Sequence, residues 1–104
     1  EGIMRNSLEN TGIKKDVIAE IKAIAQKYDI DRVLLFGSRA RGDFHRASDI
    51  DLAVEGEQVD QFILEVREET STLLNYDIID LKRLKQGVFW NTIQKEGIIL
   101  YEKV

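Results

Sequence analysis

The chain reads as an α/β (α+β) domain: a single mixed β-sheet with helices on one face. Three observations predict this. Short apolar runs recur at residues 32–37, 49–54, 76–81 and 98–102, each of strand length. Amphipathic segments of helical period stand before and between them. No proline and only 7 glycines in 104 residues leave little room for long structureless linkers. The resulting order is α-β-turn-β-α-β-α-β. A helix before the first strand, and a short link between the first two strands, argue against a pure right-handed βαβ array. The sheet is therefore expected to be mixed.

Each element has its own signal. Residues 14–28 carry Val17, Ile18, Ile21, Ile24, Ala25 and Tyr28 at spacings of three and four, the pattern of an amphipathic helix. "RVLLFG" at 32–37 is nearly continuous in apolar residues and ends in Gly, as a buried strand does. Ser38 is a candidate N-cap for a helical turn over 39–42 that Gly42 would end. "DIDLAVEG" alternates from Asp49 to Val54 and gives the second strand, closed by Gly56. Residues 58–74 hold Val59, Phe62, Ile63, Val66 and Leu73, a further helix with Asn75 at its exit. "YDIIDL" at 76–81 is a third strand of mixed face. Residues 84–95 predict another helix, with Val88, Phe89, Trp90 and Ile93 on its apolar side and Gly97 after it. "IILYE" at 98–102 closes the chain as the fourth strand.

The totals bound the function. The chain is expected to form one domain over 1–104, with 1–12 a flexible N-terminal segment. A net charge of −4 and an isoelectric point of about 5.0 give no electrostatic drive toward nucleic acid or an anionic membrane. The densest basic cluster, Lys82, Arg83 and Lys85, is too small to change that. Direct nucleic-acid binding is not expected. No apolar run approaches the roughly 20 residues of a membrane span. The absence of cysteine excludes disulfides and thiolate zinc sites and suits a cytoplasmic location.

Chemistry concentrates in "FGSRARGDFHRASDIDLAV", residues 36–54. Side chains alternate along a strand, so Asp49, Asp51 and Ala53 face one way and Ile50, Leu52 and Val54 the other. The apolar trio suits the core, which leaves two neighbouring carboxylates on the opposite face. Such a pair repels unless a cation compensates it, and hard oxygen donors suit Mg²⁺ or Mn²⁺. An isolated pair of this kind is more often plain surface. Gly37-Ser38 shifts that balance, because Gly admits close approach of a phosphate and Ser offers a hydroxyl beside free amides. No Gly-Lys-Ser/Thr follows, so this is not a P-loop. A phosphate grip ending one strand and a metal pair starting the next are the two requirements of nucleotidyl transfer.

Gly37-Ser38, ten intervening residues and Asp49-x-Asp51 resemble the signature of the DNA polymerase β-like nucleotidyltransferase superfamily. The fuller text is similar to its minimal nucleotidyltransferase branch, whose members often serve as antitoxins to HEPN-domain toxins. The resemblance covers nearly the whole chain and implies a polymerase β-like core. It implies that Gly37 and Ser38 hold the triphosphate and that Asp49 and Asp51 hold the metals, two Mg²⁺ ions with Mn²⁺ as a substitute. Arg39 and Arg41 sit where a guanidinium can neutralise phosphate charge, with Arg41 the favoured one. The resemblance also implies a third carboxylate from "YDIIDL", as base or metal ligand. Strand parity leaves Asp77 and Asp80 both open, and position early in the strand favours Asp77.

The expected activity is transfer of AMP from ATP to a hydroxyl, with a tyrosine of a HEPN toxin as acceptor. Two alternatives stand beside it. One is a non-catalytic antitoxin that occludes its toxin; the other is an aminoglycoside-type small-molecule nucleotidyltransferase. The latter is lowered because the chain shows no added substrate domain, although a homodimer offers a pocket between subunits. His45, in a polar loop, reads as solvated. Phe89 and Trp90 read as core or interface.

Overall fold

Helix α1 (Lys15–Lys27) forms because one stripe of it can be hidden: Val17, Ile18, Ile21, Ile24 and Ala25 are all buried. The computed structural model describes residues 8–84 and 87–104, so Lys85 of the basic cluster and 1–7 of the expected flexible segment lie outside the described residues. Leu8–Asn10 make a 3₁₀ turn, and Thr11 is 1% exposed.

Four strands follow: β1 (Arg32–Phe36), β2 (Ile50–Glu55), β3 (Tyr76–Asp80) and β4 (Ile98–Glu102). Their order in the sheet is β3-β2-β1-β4. β1 runs antiparallel to both β2 and β4, whereas β2 and β3 are parallel. The expected mixed sheet is thus what forms. The parallel pair needs a crossover, and α3 (Val59–Glu69) supplies it.

The alternation of the strands divides the apolar residues between two cores. Val33, Leu35, Ile50, Leu52, Val54 and Leu100 pack against α1 and α3. On the other face Leu34, Phe36 and Ala53 pack with Leu81 and with Ile93 of α4 (Val88–Glu96). Here the fold departs from helices on one face only. The reason lies in β1, which is apolar on both sides and so needs cover on both. Ile93 is 0% exposed and supplies part of it. Burying such a side chain contributes about 1.5–3 kcal/mol.

Two helices are shorter than their apolar pattern predicts. α3 ends at Glu69 because the Thr70 hydroxyl donates back to the Val66 carbonyl at 2.8 Å, and Ser71 is held by Glu20 through its amide and hydroxyl. α4 starts at Val88 because Leu81–Arg83 form a separate 3₁₀ turn, with the Asp80 carboxylate accepting from the Lys82 amide at 3.0 Å. Among the described residues no helix is long and apolar enough to cross a membrane.

Candidate active site

Strand pairing assembles the acids. Asp51 stands opposite Asp77 of the parallel neighbour β3 and opposite Phe36 of the antiparallel neighbour β1. Paired residues project to the same side, so Asp77, Asp51 and Phe36 form a row across three strands on the face that carries α4. Asp49, one residue before β2, is exposed at the same end of that strand. Asp80 pairs with Val54, which belongs to the opposite core. Its carboxylate is also engaged by the Lys82 amide and lies 3.8 Å from the Arg83 guanidinium. Of the two acids in β3, Asp77 is therefore the one brought beside Asp51.

The Gly37-Ser38 turn meets this row directly. Gly37 has a φ of +76°, in the left-handed region that glycine adopts without strain. A Cβ at Gly37 would collide with the Asp51 carboxylate, with Cγ only 2.9 Å away. Glycine is thus required twice over, by its backbone and by the acid lying on it. The short helix α2 (Gly37–Arg41) begins at Gly37, with Phe36 in the cap position. Ser38 is accordingly inside the first turn and is not the N-cap that its sequence position suggests. Its carbonyl accepts from the Gly42 amide at 2.8 Å, and Gly42, with φ +97°, ends the helix as predicted. The Ser38 hydroxyl has no partner among the described residues.

The electrostatics of the row call for a cation. Burial first, then Asp77 and Asp49, push the Asp51 carboxyl up to about 6, against the opposing pull of Arg41 and Arg39. Among the described residues no group of three or more His, Cys, Asp or Glu side chains is gathered closely enough to hold a metal ion by itself. The acids form an open row instead. That donor set fits Mg²⁺ or Mn²⁺, which take one or two carboxylates and fill their remaining positions with water and substrate phosphate.

The two arginines of the turn have different positions. Arg41 is half-exposed on the surface, 3.3 Å from Asp43 and 3.8 Å from Glu96 of α4. Arg39, by contrast, is 2% exposed, and its guanidinium is spent on backbone carbonyls. It donates to Thr11 at 2.8 Å, to Arg46 at 3.2 Å and twice to Ser48, at 3.1 and 2.9 Å. The Phe44 ring covers it, with centroid 4.8 Å from the guanidinium carbon. A solvated or phosphate-facing Arg39 does not match this arrangement. Sequence reasoning missed the role because nothing in "SRARG" separates a buried arginine from an exposed one.

His45 is exposed, as expected; its backbone amide donates to the Ser48 hydroxyl at 2.9 Å and its carbonyl accepts from the Ser48 amide at 2.9 Å. Trp90 packs into the second core. Phe89 is 48% exposed, with its ring 6.0 Å from that of Phe36 in an edge-on contact.

The family model for the polymerase beta nucleotidyltransferase domain matches residues 19–104, which include both strands of the acid row and the Gly-Ser turn. The chain belongs to this family. It is a nucleotidyltransferase. A relative from Methanocaldococcus jannaschii, MJ0604, named for protein adenylyltransferase activity, is 34% identical over an alignment of 92 positions that covers 78% of this chain and 90% of that protein. Among solved structures, a toxin-antitoxin complex with AMP-PNP superposes with a TM-score of 0.63 at 22% identity, over 83% of this chain and 73% of that one. The toxin-antitoxin complex MntA-HpeT, in a mutant form, gives 0.62 at 20% identity, over the same shares. A nucleotidyltransferase from Sulfolobus solfataricus gives 0.50 at 21% identity, over 98% of this chain and 92% of that one. At these identities the structural likenesses speak for the fold, and the nucleotidyltransferase fold is the one they share with this chain.

Proposed function

We propose that this nucleotidyltransferase transfers AMP from ATP to a hydroxyl on a protein, with a tyrosine of a HEPN toxin as the acceptor. One observation carries the reading: the Asp51 carboxylate lies against Gly37 while standing in register with Asp77. That contact supports reading the Gly-Ser turn and the acid row as one site. The M. jannaschii relative, named as a protein adenylyltransferase, supports a protein acceptor. The toxin-antitoxin neighbours support a toxin as that protein.

In this reading Asp49 and Asp51 hold Mg²⁺, with Asp77 as the third carboxylate. Bound there, Mg²⁺ would lower the acceptor's pKa and neutralise charge on the leaving pyrophosphate. The chain's own residues do the rest. The Ser38 hydroxyl, unpaired within the described protein, donates to a phosphate oxygen beside the amides of the α2 turn. Arg41 leaves its exposed partners Asp43 and Glu96 and closes on the triphosphate. Asp77 accepts the proton of the acceptor hydroxyl, which attacks the α-phosphorus in line with pyrophosphate departure. The AMP–oxygen bond forms as the α–β phosphoanhydride bond breaks. A cytoplasmic location goes with dependence on ATP.

The test is incubation of the protein and its toxin with ATP labelled at the α-phosphate, with and without Mg²⁺. The label is expected on the toxin, at tyrosine, only with Mg²⁺ and only when Asp49 and Asp51 are intact. A double Asn variant of those two acids that still neutralises the toxin in cells would establish occlusion in place of catalysis.

A further inference from the structure

We infer that Arg39 is a positioning residue: it ties the Gly37-Ser38 turn to the start of β2 and thereby sets where Asp49 and Asp51 stand. The inference rests on reading those two acids as metal ligands. Three observations lead to it. First, the chain between α2 and β2 has no regular structure, and its own internal bonds are few. They join Ser48 to the His45 carbonyl at 2.9 Å and the His45 amide to the Ser48 hydroxyl at 2.9 Å. Such a segment, left to itself, would let Asp49 drift relative to Ser38.

Second, Arg39 closes the gap with a fork. Its Nε and Nη2 both donate to the Ser48 carbonyl, the peptide group that carries the Asp49 amide. Nη2 also donates to the Arg46 carbonyl. The guanidinium starts one residue after Ser38 and ends one residue before Asp49, so it spans the two halves of the site. A planar fork of five donors suits several carbonyls at once; an ammonium does not reproduce it.

Third, the surroundings hold the fork still. Nη1 donates to the Thr11 carbonyl, and the Phe44 ring lies over the guanidinium. Gly12, with φ +72°, has no space for a side chain there: a Cβ would lie 2.8 Å from Arg39 Nη1 and 2.9 Å from Phe44 Cζ. A charge buried to this degree is costly unless its donors are satisfied, and here they are. Thr11 and Gly12 are thus the outer wall of a clamp whose inner jaw is the start of β2.

The experiment is a titration of the nucleotide-free protein with Mn²⁺, followed by electron paramagnetic resonance, on wild type and on the Arg39→Met, Arg39→Lys and Phe44→Leu variants. Circular dichroism and thermal unfolding report folding, and Asp51→Asn is the control for the site. Arg39→Met is expected to weaken Mn²⁺ binding by about tenfold or more, the usual size for a group that orients a metal ligand. Arg39→Lys recovers part of the loss, and Phe44→Leu gives a smaller one. Amide exchange is expected to accelerate at residues 48–51 and to stay unchanged in α1 and α3. In turnover, kcat falls while KM for ATP stays near wild type. Should Arg39→Met fail to fold, Arg39→Lys and Phe44→Leu decide the matter. Wild-type Mn²⁺ affinity in the folded variants overturns the inference alone. Wild-type protein that binds no Mn²⁺ overturns the metal reading beneath it.

Discussion

Asp51 and Asp77 occupy paired positions on adjacent parallel strands, both on the face where α4 packs. That relationship decides which acid of β3 belongs with the β2 acids, and it separates two substitutions sharply. Asp77→Asn is expected to lower AMP transfer by about 10²–10⁴, the range for loss of a general base. Asp80→Asn should leave transfer within about twofold. It should instead lower stability by about 0.5–1.5 kcal/mol, through the weakened bond to the Lys82 amide. Transfer assays and urea unfolding on the two variants check this, and a reversed order of activities would contradict the assignment.

Gly37→Ala tests the contact that joins the two motifs. Alanine in the left-handed region costs about 1–2 kcal/mol, and its Cβ must also displace the Asp51 carboxylate. The expected outcome is a folded but less stable protein whose affinity for Mn²⁺ is reduced. Gly42→Ala is the companion: its φ is also positive, at +97°, yet nothing lies within 4 Å of the added Cβ. It should lose similar backbone stability and keep its metal affinity.

The raised pKa of Asp51 gives a pH dependence with a definite sign. The unfolded chain releases this proton near 3.8, whereas the folded, metal-free protein holds it to about 6. Between those values the folded state binds more protons, so the contribution of this group to stability falls as pH rises through the window. Asp51→Asn removes the penalty. At pH 7 it should stabilise the metal-free protein by about 1 kcal/mol after allowance for solvent screening, or about 4–8 °C in Tm. The gain should vanish near pH 4. Scanning calorimetry in a chelating buffer at the two pH values measures it. Added Mg²⁺ should stabilise wild type, and not the variant, above pH 6.

Ser38 and Arg41 are expected to matter for nucleotide and little for folding. The Ser38 hydroxyl is unpaired among the described residues, and the Arg41 ion pairs are exposed, the kind worth about 0–1 kcal/mol. Ser38→Ala and Arg41→Ala should therefore unfold within about 0.5 kcal/mol of wild type. Arg41→Ala should raise KM for ATP by about tenfold, as loss of a charge-assisted hydrogen bond does. Steady-state kinetics over a range of ATP concentrations reads this out.

The strands were legible because each is a short apolar run whose alternation survives folding, and β2 in particular keeps Ile50, Leu52 and Val54 in the core. Gly37-Ser38 and the Asp49–Asp51 pair were legible because their spacing is carried by the chain itself. What depended on pairing was not. Asp77 and Asp80 differ by parity, and only the parallel register of β3 with β2 assigns each a face. The side of the sheet taken by α4 is likewise invisible in an amphipathic stripe, which shows that a face is buried and not against what. Arg39 was the least legible residue. Its partners are backbone carbonyls of Thr11, His45, Arg46 and Ser48, and carbonyls carry no letter in a sequence.

The most direct measurement of the central claim, that the Gly-Ser turn and the acid row are one nucleotide site, is a crystal structure with Mg²⁺ and a non-hydrolysable ATP analogue. The predicted result is Mg²⁺ in contact with both Asp49 and Asp51, Asp77 facing it, and a phosphate oxygen on the Ser38 hydroxyl. Nucleotide bound away from Ser38, or Mg²⁺ bound without Asp51, would contradict it.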